Sequence, residues 1–432
     1  MKRRAAILAA VALLVTPWRS VAQQPRELTL AELEERALAR NPTLRQAESN
    51  IDASKGRAKQ AGLLPNPTVG YTGDEINRGQ IFRGGEHGVF VEQVIPLGGK
   101  RALSRQVFER EATQAEALVE TQRARVLNDV RMLYYRALGA QRRVEVRQRL
   151  AALSAEAVGV SAQLFNTGAA DRPDVLESEI EARRSQLSLE TARNARARVW
   201  RQLAAVVGDM ALTPQTLDGD IDAAVPEIER EAVVSEILAR SPEIRAARLA
   251  VERQETALKR AQRASTPDLV LRGGSHYNRA LLEANGLPVG WAASAGIGVV
   301  VPLFNRNQGG IAEAQAEVTR AQQEVQRLEL MIRSRAADAF DEYLTSLRSA
   351  EAYRSEVLPR AQQSYQLYLA RYHEMGAAYP QVLIAQRTLF QATDQYVDAA
   401  EAAWIAALQL QGQLLTGGLD ATPRTREDSR ER

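Results

Sequence analysis

The sequence predicts a mainly α-helical fold that is duplicated within the chain and carries four β-strands of the membrane-barrel type. Three ordered matches indicate the duplication: residues 39–42 (ARNP) recur as 239–242 (ARSP), 94–97 (VIPL) as 300–303 (VVPL), and 168–170 (GAA) as 376–378 (GAA). The offset stays near roughly 200 residues, which indicates one structural unit used twice. We place the first unit at residues 23–207, a linker at 208–230 and the second unit at 231–415.

The two ends of the chain have the composition of segments outside the fold. Lys2, Arg3 and Arg4 precede a short apolar run, and a small-x-small site follows at residues 20–22, so residues 1–22 are predicted to be a signal peptide. No later stretch approaches the ~18 apolar residues that a transmembrane helix needs. Residues 416–432 are polar and are predicted to form a disordered tail.

Composition excludes several classes of function. The chain has no cysteine, which excludes disulfides, thiolate metal sites and cysteine nucleophiles. Its net charge of +3 is weak, and the basic residues are spread along helical patterns, so no nucleic-acid partner is expected. His87, His276 and His373 lack metal-ligand spacing, and the first two are expected in or beside solvated hairpin loops. Without a nucleophile–base constellation, we expect no enzyme, no cofactor and no metal site.

Long helices are predicted by heptad spacing in both units. Apolar residues recur every seven positions in each unit, at Ala112, Val119, Val126, Leu133 and Ala140, and at Ile311, Val318, Val325, Ile332 and Ala339. This spacing predicts coiled-coil helices. In the first unit the pattern runs from about residue 100 to 165, a helix of about 100 Å at 1.5 Å per residue.

Four short segments between the helices are predicted to be strands, near residues 67–74, 88–96, 268–276 and 291–301. In the last segment Trp291, Ile297 and Val299 share one face, whereas Gly296 and Gly298 share the other. One apolar and one small or polar face is typical of membrane β-barrel strands. The alternative is an ordinary soluble hairpin. Because open sheet edges are not tolerated in hydrocarbon, four strands in a membrane require oligomerisation.

The layout and several motifs resemble the TolC-type outer-membrane efflux family across residues 28–415. The motifs are residues 30–42, Leu-Pro-Asn-Pro at 64–67, Gln-Val-Ile-Pro-Leu-Gly-Gly-Lys-Arg at 93–101, and turns at Gly168 and Gly376. The second and third are most similar to the heavy-metal (CzcC-like) branch. The resemblance implies a homotrimer in which each copy gives four strands to a 12-stranded β-barrel, continued by a periplasmic α-helical barrel.

The resemblance also implies a role for the turn between the long helices of each unit. In the family these turns form the periplasmic tip, which narrows the pore and meets an adaptor protein. The sequence alone would favour a plain helical hairpin, and the resemblance favours the tip instead. We assign the gate to Asp171, Arg172, Asp174, Tyr379 and Gln381, and adaptor contacts to Gly168, Pro173, Gly376 and Pro380. The second turn places Gln381 where the first has Asp174, so the charge lies mainly in the first unit.

The implied function is a passive exit duct in the outer membrane of a Gram-negative bacterium, with a long periplasmic extension. Its expected partners are outer-membrane lipid, a periplasmic adaptor and an inner-membrane pump of the resistance–nodulation–division type. Heavy-metal cations are the expected substrate. The alternatives are a multidrug or type I secretion exit duct of the same family, or a soluble periplasmic coiled-coil scaffold.

Overall fold

The computed structural model describes residues 27–76, 85–168, 170–281, 288–374 and 379–421, and the predicted signal peptide lies outside them. Each unit contains two short helices, two strands and two long helical segments in the same order. The first comprises α1 (Leu30–Arg40), α2 (Pro42–Ala61), β1 (Thr68–Asp74), β2 (Glu86–Ile95), α3 (Lys100–Asn166) and α4 (Arg172–Val207). The second comprises α5 (Arg230–Arg240), α6 (Pro242–Arg263), β3 (Leu269–Leu281), β4 (Pro288–Val299), α7 (Gln308–Ala352), a π-helical turn (Tyr353–Val357), α8 (Leu358–His373) and α9 (Tyr379–Gln411).

The repeated Ala-Arg-Asn/Ser-Pro motif marks a break between two helices in both units. Asn41 has an extended backbone and accepts a hydrogen bond at Oδ1 from the Thr43 amide at 2.9 Å, which caps α2. Ser241 accepts from the Ile244 amide at 3.4 Å and caps α6 in the same way. A proline follows each cap at the first helical position, where no amide hydrogen is needed. The motif therefore starts a new helix at a fixed angle to the previous one.

The longest element is α3, which runs without interruption for 67 residues. Every residue of the predicted heptad stripe in α3 and α7 is buried or half-buried, as a coiled-coil interface requires. Gly139 lies inside α3 because a side chain there would collide with the carboxylate of Glu401 on α9. That carboxylate accepts a hydrogen bond from Arg143 Nη1 at 2.7 Å. The absence of a side chain at Gly139 thus leaves room for the Arg143–Glu401 ion pair between the two units.

The second unit departs from the first where α7 passes into α8. Five residues form a π-helical turn, and Pro359 follows at the start of α8. Proline has no amide hydrogen and cannot continue the helical ladder, which accounts for a local change of hydrogen bonding. Arg354 of this turn donates to the Asp222 carbonyl at 2.9 Å and ties it to the linker. The corresponding stretch of α3 is regular α-helix.

The four strands form one antiparallel sheet in the order β1-β2-β3-β4. β2 and β3, from different units, pair over their full overlap, with Ile95 opposite Leu269 and Glu86 opposite Asn278. β3 extends to Leu281 and β4 begins at Pro288, further than the sequence predicted, because backbone pairing continues beyond the apolar alternation. At its other end β4 stops at Val299, two residues before the predicted end. Among the described strands, β1 and β4 each have one unpaired edge.

The sheet has one apolar face that no described element covers. Val69, Tyr71 and Val89 lie on it, and Trp291 and Ile297 are 74% and 78% exposed. The opposite face carries Glu86, Glu92, Arg272, His276 and Asn278 among glycines, as the register of the paired strands requires. A sheet whose outward face is apolar and whose other face is polar is the arrangement of a transmembrane barrel wall.

The segment after α9 packs against the first unit. The Gly418 carbonyl accepts hydrogen bonds from Thr43 Oγ1 at 3.0 Å and Gln122 Nε2 at 3.1 Å. Its amide donates to Asp129 Oδ2 at 2.7 Å, and burial raises the pKa of that carboxyl. The sequence predicted that residues 416–432 form a disordered tail. Residues 416–421 are instead ordered and satisfy buried polar groups.

We predict that Gly418→Ala destabilises the protein by about 1–3 kcal/mol, since an added Cβ would lie 2.9 Å from Val126 Cα and displace the buried hydrogen bonds. The midpoint of thermal unfolding by far-UV circular dichroism measures the effect. Gly56→Ala is the matched control, because nothing lies within 4 Å of that position in α2. Alanine there should leave the midpoint unchanged or raise it. Equal midpoints for both variants would contradict the role of the C-terminal segment.

Candidate functional site

The candidate site is the end of the helical part farthest from the sheet, where α3 turns into α4 and α8 turns toward α9. We call the residues around these two turns the tip cluster: Tyr372, the five gate residues assigned from the sequence, Glu181 and Arg387. Because α3 rises about 1.5 Å per residue, the turn at its C-terminal end lies about 100 Å along the helix from the strand–helix junction. The site is thus remote from the sheet.

The first turn is built by a glycine and a helix cap. Gly168 has φ of 73°, the left-handed conformation that ends a helix, and α4 begins directly after Asp171. The Asp171 amide donates to Asp174 Oδ2 at 3.3 Å, so Asp174 caps the helix as well as carrying charge. Asp171, Arg172 and Pro173 are exposed, whereas Asp174 is half-buried. The assigned charges of the first unit are therefore presented at the surface of the turn.

The second turn is described only from Tyr379 onward, and Gly376 lies outside the described residues. Tyr379 is buried, whereas Pro380 and Gln381 are exposed at the start of α9. The ring of Tyr379 packs against that of Tyr372 on α8, with ring centroids 5.8 Å apart. Tyr379 thus fills space between helices, whereas Gln381 is open to solvent.

Electrostatics connect the two turns. Burial raises the pKa of Tyr379 to about 12, and the neighbouring Glu181 carboxylate adds to the rise. Burial also raises the pKa of Tyr372, with a further contribution from the Asp174 carboxylate of the first turn. Both phenols therefore remain neutral hydrogen-bonding groups at any physiological pH. The structure brings Asp174 and the tyrosine pair together, whereas Gln381 takes no part in this coupling.

One ion pair that the sequence analysis missed joins the two hairpins. Arg387 Nη2 of α9 lies 2.5 Å from Glu181 Oε2 of α4, and this hydrogen bond raises the pKa of Arg387. The Glu181 side chain is only 11% exposed and that of Arg387 is 43% exposed. No spacing in the sequence identifies the pair, since its members are 206 residues apart and each lies among other charged residues.

The sheet carries a second group of polar residues, and here the expectation for two histidines was wrong. His87 lies in β2 and His276 in β3, both within the paired ladder rather than in solvated loops. His276 Nε2 is 3.4 Å from Glu86 Oε2, and the Arg272 guanidinium lies 3.9 Å from the centroid of the Phe90 ring. The strands extend past the apolar stretch, so polar residues near their ends line the sheet. The side chain of His373 lies outside the described residues.

In the described part of the chain, no group of three or more histidine, aspartate or glutamate side chains is arranged to hold a metal ion. Within the same residues, no helix combines the length and hydropathy needed to cross a bilayer.

Comparison with known proteins gives consistent similarities. A family model described as Outer membrane efflux protein matches residues 33–209 and 233–416. The chain is 25% identical to the cobalt-zinc-cadmium resistance protein CzcC of Cupriavidus metallidurans over 377 residues, covering 86% of this chain and 87% of that protein. Its fold is similar to the outer-membrane channel OprN (TM-score 0.74, 19% identity, 90% of both chains). It is also similar to the outer membrane protein VceC of Vibrio cholerae (TM-score 0.72, 19% identity, 90% of this chain and 96% of that one).

We predict an asymmetric response when the Glu181–Arg387 pair is broken. Arg387→Gln leaves a mostly buried carboxylate without its cation and should destabilise the tip by about 1–3 kcal/mol. Glu181→Gln leaves an exposed guanidinium and should have a smaller effect. Hydrogen–deuterium exchange of residues 175–190 and 380–395 measures both.

Arg193→Gln is the matched control, because the Arg193–Glu190 pair is exposed on both sides and should contribute about 0–0.5 kcal/mol. If the three variants give the same exchange rates, the pair does not fasten the two hairpins together.

Proposed function

The chain belongs to the outer membrane efflux protein family, and from this premise we propose that it is the exit duct of a tripartite system that exports heavy-metal cations. Members of this family are channels and not enzymes, so the chain is an outer-membrane efflux channel of the TolC type. The observation that carries the proposal is the sheet with an uncovered apolar face, joined directly to helices of coiled-coil length.

A passive duct needs a wall in the membrane and a wall in the periplasm, and the chain contains parts suited to both. The four strands supply an apolar outer and a polar inner surface for a barrel. The helices α3, α4, α7, α8 and α9 supply the long extension. We propose that three copies close the barrel, since a single copy leaves two sheet edges unpaired.

The assignment of metal cations rests on the relative named for cobalt, zinc and cadmium resistance. The match covers most of both chains and so extends over both units. A duct wall need not bind its cargo tightly, because the energy for export comes from an inner-membrane pump. We propose a pump of the resistance–nodulation–division type, reached through a periplasmic adaptor that contacts Gly168, Pro173, Gly376 and Pro380.

We propose that the tip cluster is the gate. In a threefold assembly, Asp171 and Asp174 would each occur three times around one axis, and crowded carboxylates repel one another. Arg172, exposed between them in sequence, can offset part of this repulsion by pairing with a neighbouring copy. Exposed pairs of this kind contribute only about 0–1 kcal/mol each. Contacts that weak suit an aperture that an adaptor has to open.

We predict that deleting the gene lowers tolerance to zinc, cobalt or cadmium several-fold, as measured by minimal inhibitory concentrations. The wild-type gene should restore tolerance. Trp291→Asp should not, because a carboxylate on the outward apolar face disfavours insertion in a bilayer. Met210→Asp is the matched control, since Met210 is equally exposed but lies in the linker. Sensitivity to antibiotics or dyes alone would identify a multidrug duct instead.

We predict that Asp174→Asn raises single-channel conductance and lowers cation selectivity in planar bilayers. Asparagine removes the charge but keeps an oxygen that can accept a hydrogen bond from the Asp171 amide, so the helix cap is retained. Gln381→Ala should change either property less. Conductance in symmetric KCl and the reversal potential in a KCl gradient measure the two effects. Unchanged values in an Asp171→Ala/Asp174→Ala channel would rule out a charged gate at this turn.

A further inference from the structure

The internal duplication gives information about a contact between copies that one chain cannot make. Within the chain, the end of β2 pairs with the start of β3, and these strands come from different units. The end of β4 and the start of β1 are the corresponding segments at the two open edges of the sheet. If β4 meets β1 of a second copy, this junction repeats the β2–β3 junction with the roles of the units exchanged.

Two pairs of prolines relate the junctions residue by residue. Pro96 follows β2 as Pro302 follows β4, in the repeated Val-Ile/Val-Pro-Leu motif. Pro67 precedes β1 as Pro267 precedes β3, at the same offset as the repeated helix break. At the internal junction, Ile95, which precedes Pro96, lies opposite Leu269, two positions after Pro267. The same rule places Val301, which precedes Pro302, opposite Val69, two positions after Pro67.

We propose that β4 of one copy pairs with β1 of the next in the register that places Gly298 opposite Thr72. Continued two residues beyond the end of β4, this register places Val301 opposite Val69. The proposal rests on the oligomeric barrel proposed above and goes beyond it by fixing the alignment. Both partners of each pair lie on the same face of the sheet, so the apolar face continues across the junction. A slip by one residue would reverse the faces.

Barrel geometry is compatible with the same register. A step straight across the strands from Val69 leads to Val91, Gly273 and Ala295, and then to Glu75 of the next copy. With strands about 4.8 Å apart and about 3.3 Å per residue, this advance of about six residues over four strands corresponds to a strand tilt of about 46°. Membrane barrels have tilts of about 35–45°.

Registers shifted by two residues keep the faces and give different tilts. One shift places Thr72 opposite Val300 and requires a tilt of about 54°, which is steeper than barrels usually adopt. The other places Thr72 opposite Gly296 and gives about 35°, which the barrel geometry permits. The positions of Pro67 and Pro302 distinguish the second shift from the proposed register.

The two junctions differ in the residues that adjoin the strand ends nearest the helices. Inside the chain, Asp268 accepts a hydrogen bond from the Leu97 amide at 3.1 Å and lies 2.7 Å from Lys100 Nζ. At the offset of Pro67 from Pro267, Thr68 occupies the position of Asp268, so the carboxylate has no counterpart. Leu303 and Phe304 after β4 are 64% and 93% exposed.

Exposed apolar residues also precede β1. Leu63 and Leu64 lie in the segment between α2 and β1 and are 53% and 49% exposed. We name these four leucine and phenylalanine residues the closure seam: Leu63, Leu64, Leu303 and Phe304. In the proposed register, Leu303 and Phe304 would lie opposite Pro67 and Asn66 of the next copy, so closing the sheet would bring the two halves of the closure seam within a few residues of each other. Burial of apolar surface then replaces the ion pair that fastens the internal junction.

Disulfide trapping tests the register, and the natural chain contains no cysteine that could interfere. Thr72→Cys/Gly298→Cys places one cysteine on each open edge, on the polar face where an oxidant can reach it. A Cβ at Gly298 meets only ordinary contacts, and one at Gly296 does likewise. The edges of one sheet are about 14 Å apart, too far for a disulfide within a copy. Any disulfide must therefore join two copies.

Thr72→Cys/Gly296→Cys and Thr72→Cys/Val300→Cys are the matched controls for the shifted registers. We expect oxidised outer membranes to give covalent dimers and trimers at least about tenfold more abundantly for the Gly298 pair than for either control. Preferential trapping of a control pair would overturn the register. So would the absence of trapping by all three pairs in variants that still run as folded oligomers on unheated gels.

The same gels separate this proposal from the proposed function. If the cysteine-free parent itself forms no oligomer in the outer membrane, the exit-duct proposal fails as well. Phe304→Asp tests the closure seam, with an expected several-fold loss of the unheated oligomer band, whereas Phe304→Leu should retain it. An unchanged band in Phe304→Asp would show that the seam faces lipid or water and would overturn that contact.

Discussion

The arrangement of this protein depends on the need to hydrogen-bond every backbone group of a sheet that has an apolar outer face. β1 and β4 each leave a row of backbone groups without a strand partner among the described elements. Water can satisfy such groups for a soluble sheet, but hydrocarbon cannot. The same sheet has an uncovered apolar face. That face is stable in hydrocarbon, whereas the unpaired backbone groups at the edges need water. Only pairing between copies resolves this conflict in a bilayer.

Much of the architecture could be predicted because it follows from the local periodicity of apolar residues. The heptads of α3 predicted a helix ending near residue 165, and it ends at Asn166. Alternation in the segment around Trp291 predicted the outward face correctly. The ends of β3 and β4 were missed because their backbone pairing continues through polar residues, and backbone hydrogen bonds do not depend on side-chain hydropathy.

The candidate site was harder to predict, since it is made by contacts between distant segments. The first turn follows from local glycine, proline and aspartate chemistry, so the cap at Asp174 could be anticipated. The Glu181–Arg387 pair could not, because its geometry depends on how two hairpins pack. The two units have also diverged. Among the described residues, only the second unit has a π-helical turn followed by Pro359, and the second turn has no aspartate to match Asp171 and Asp174 of the first.

The hydrogen bonds of Gly418 have a consequence for how the chain is made. Thr43 and Gln122 are synthesised hundreds of residues before the carbonyl that accepts their hydrogen bonds. Until residue 418 has been synthesised, Gln122 and Asp129 lack the backbone groups that they bind in the folded protein. The buried polar contacts of the first unit are therefore completed only after the second unit has been made.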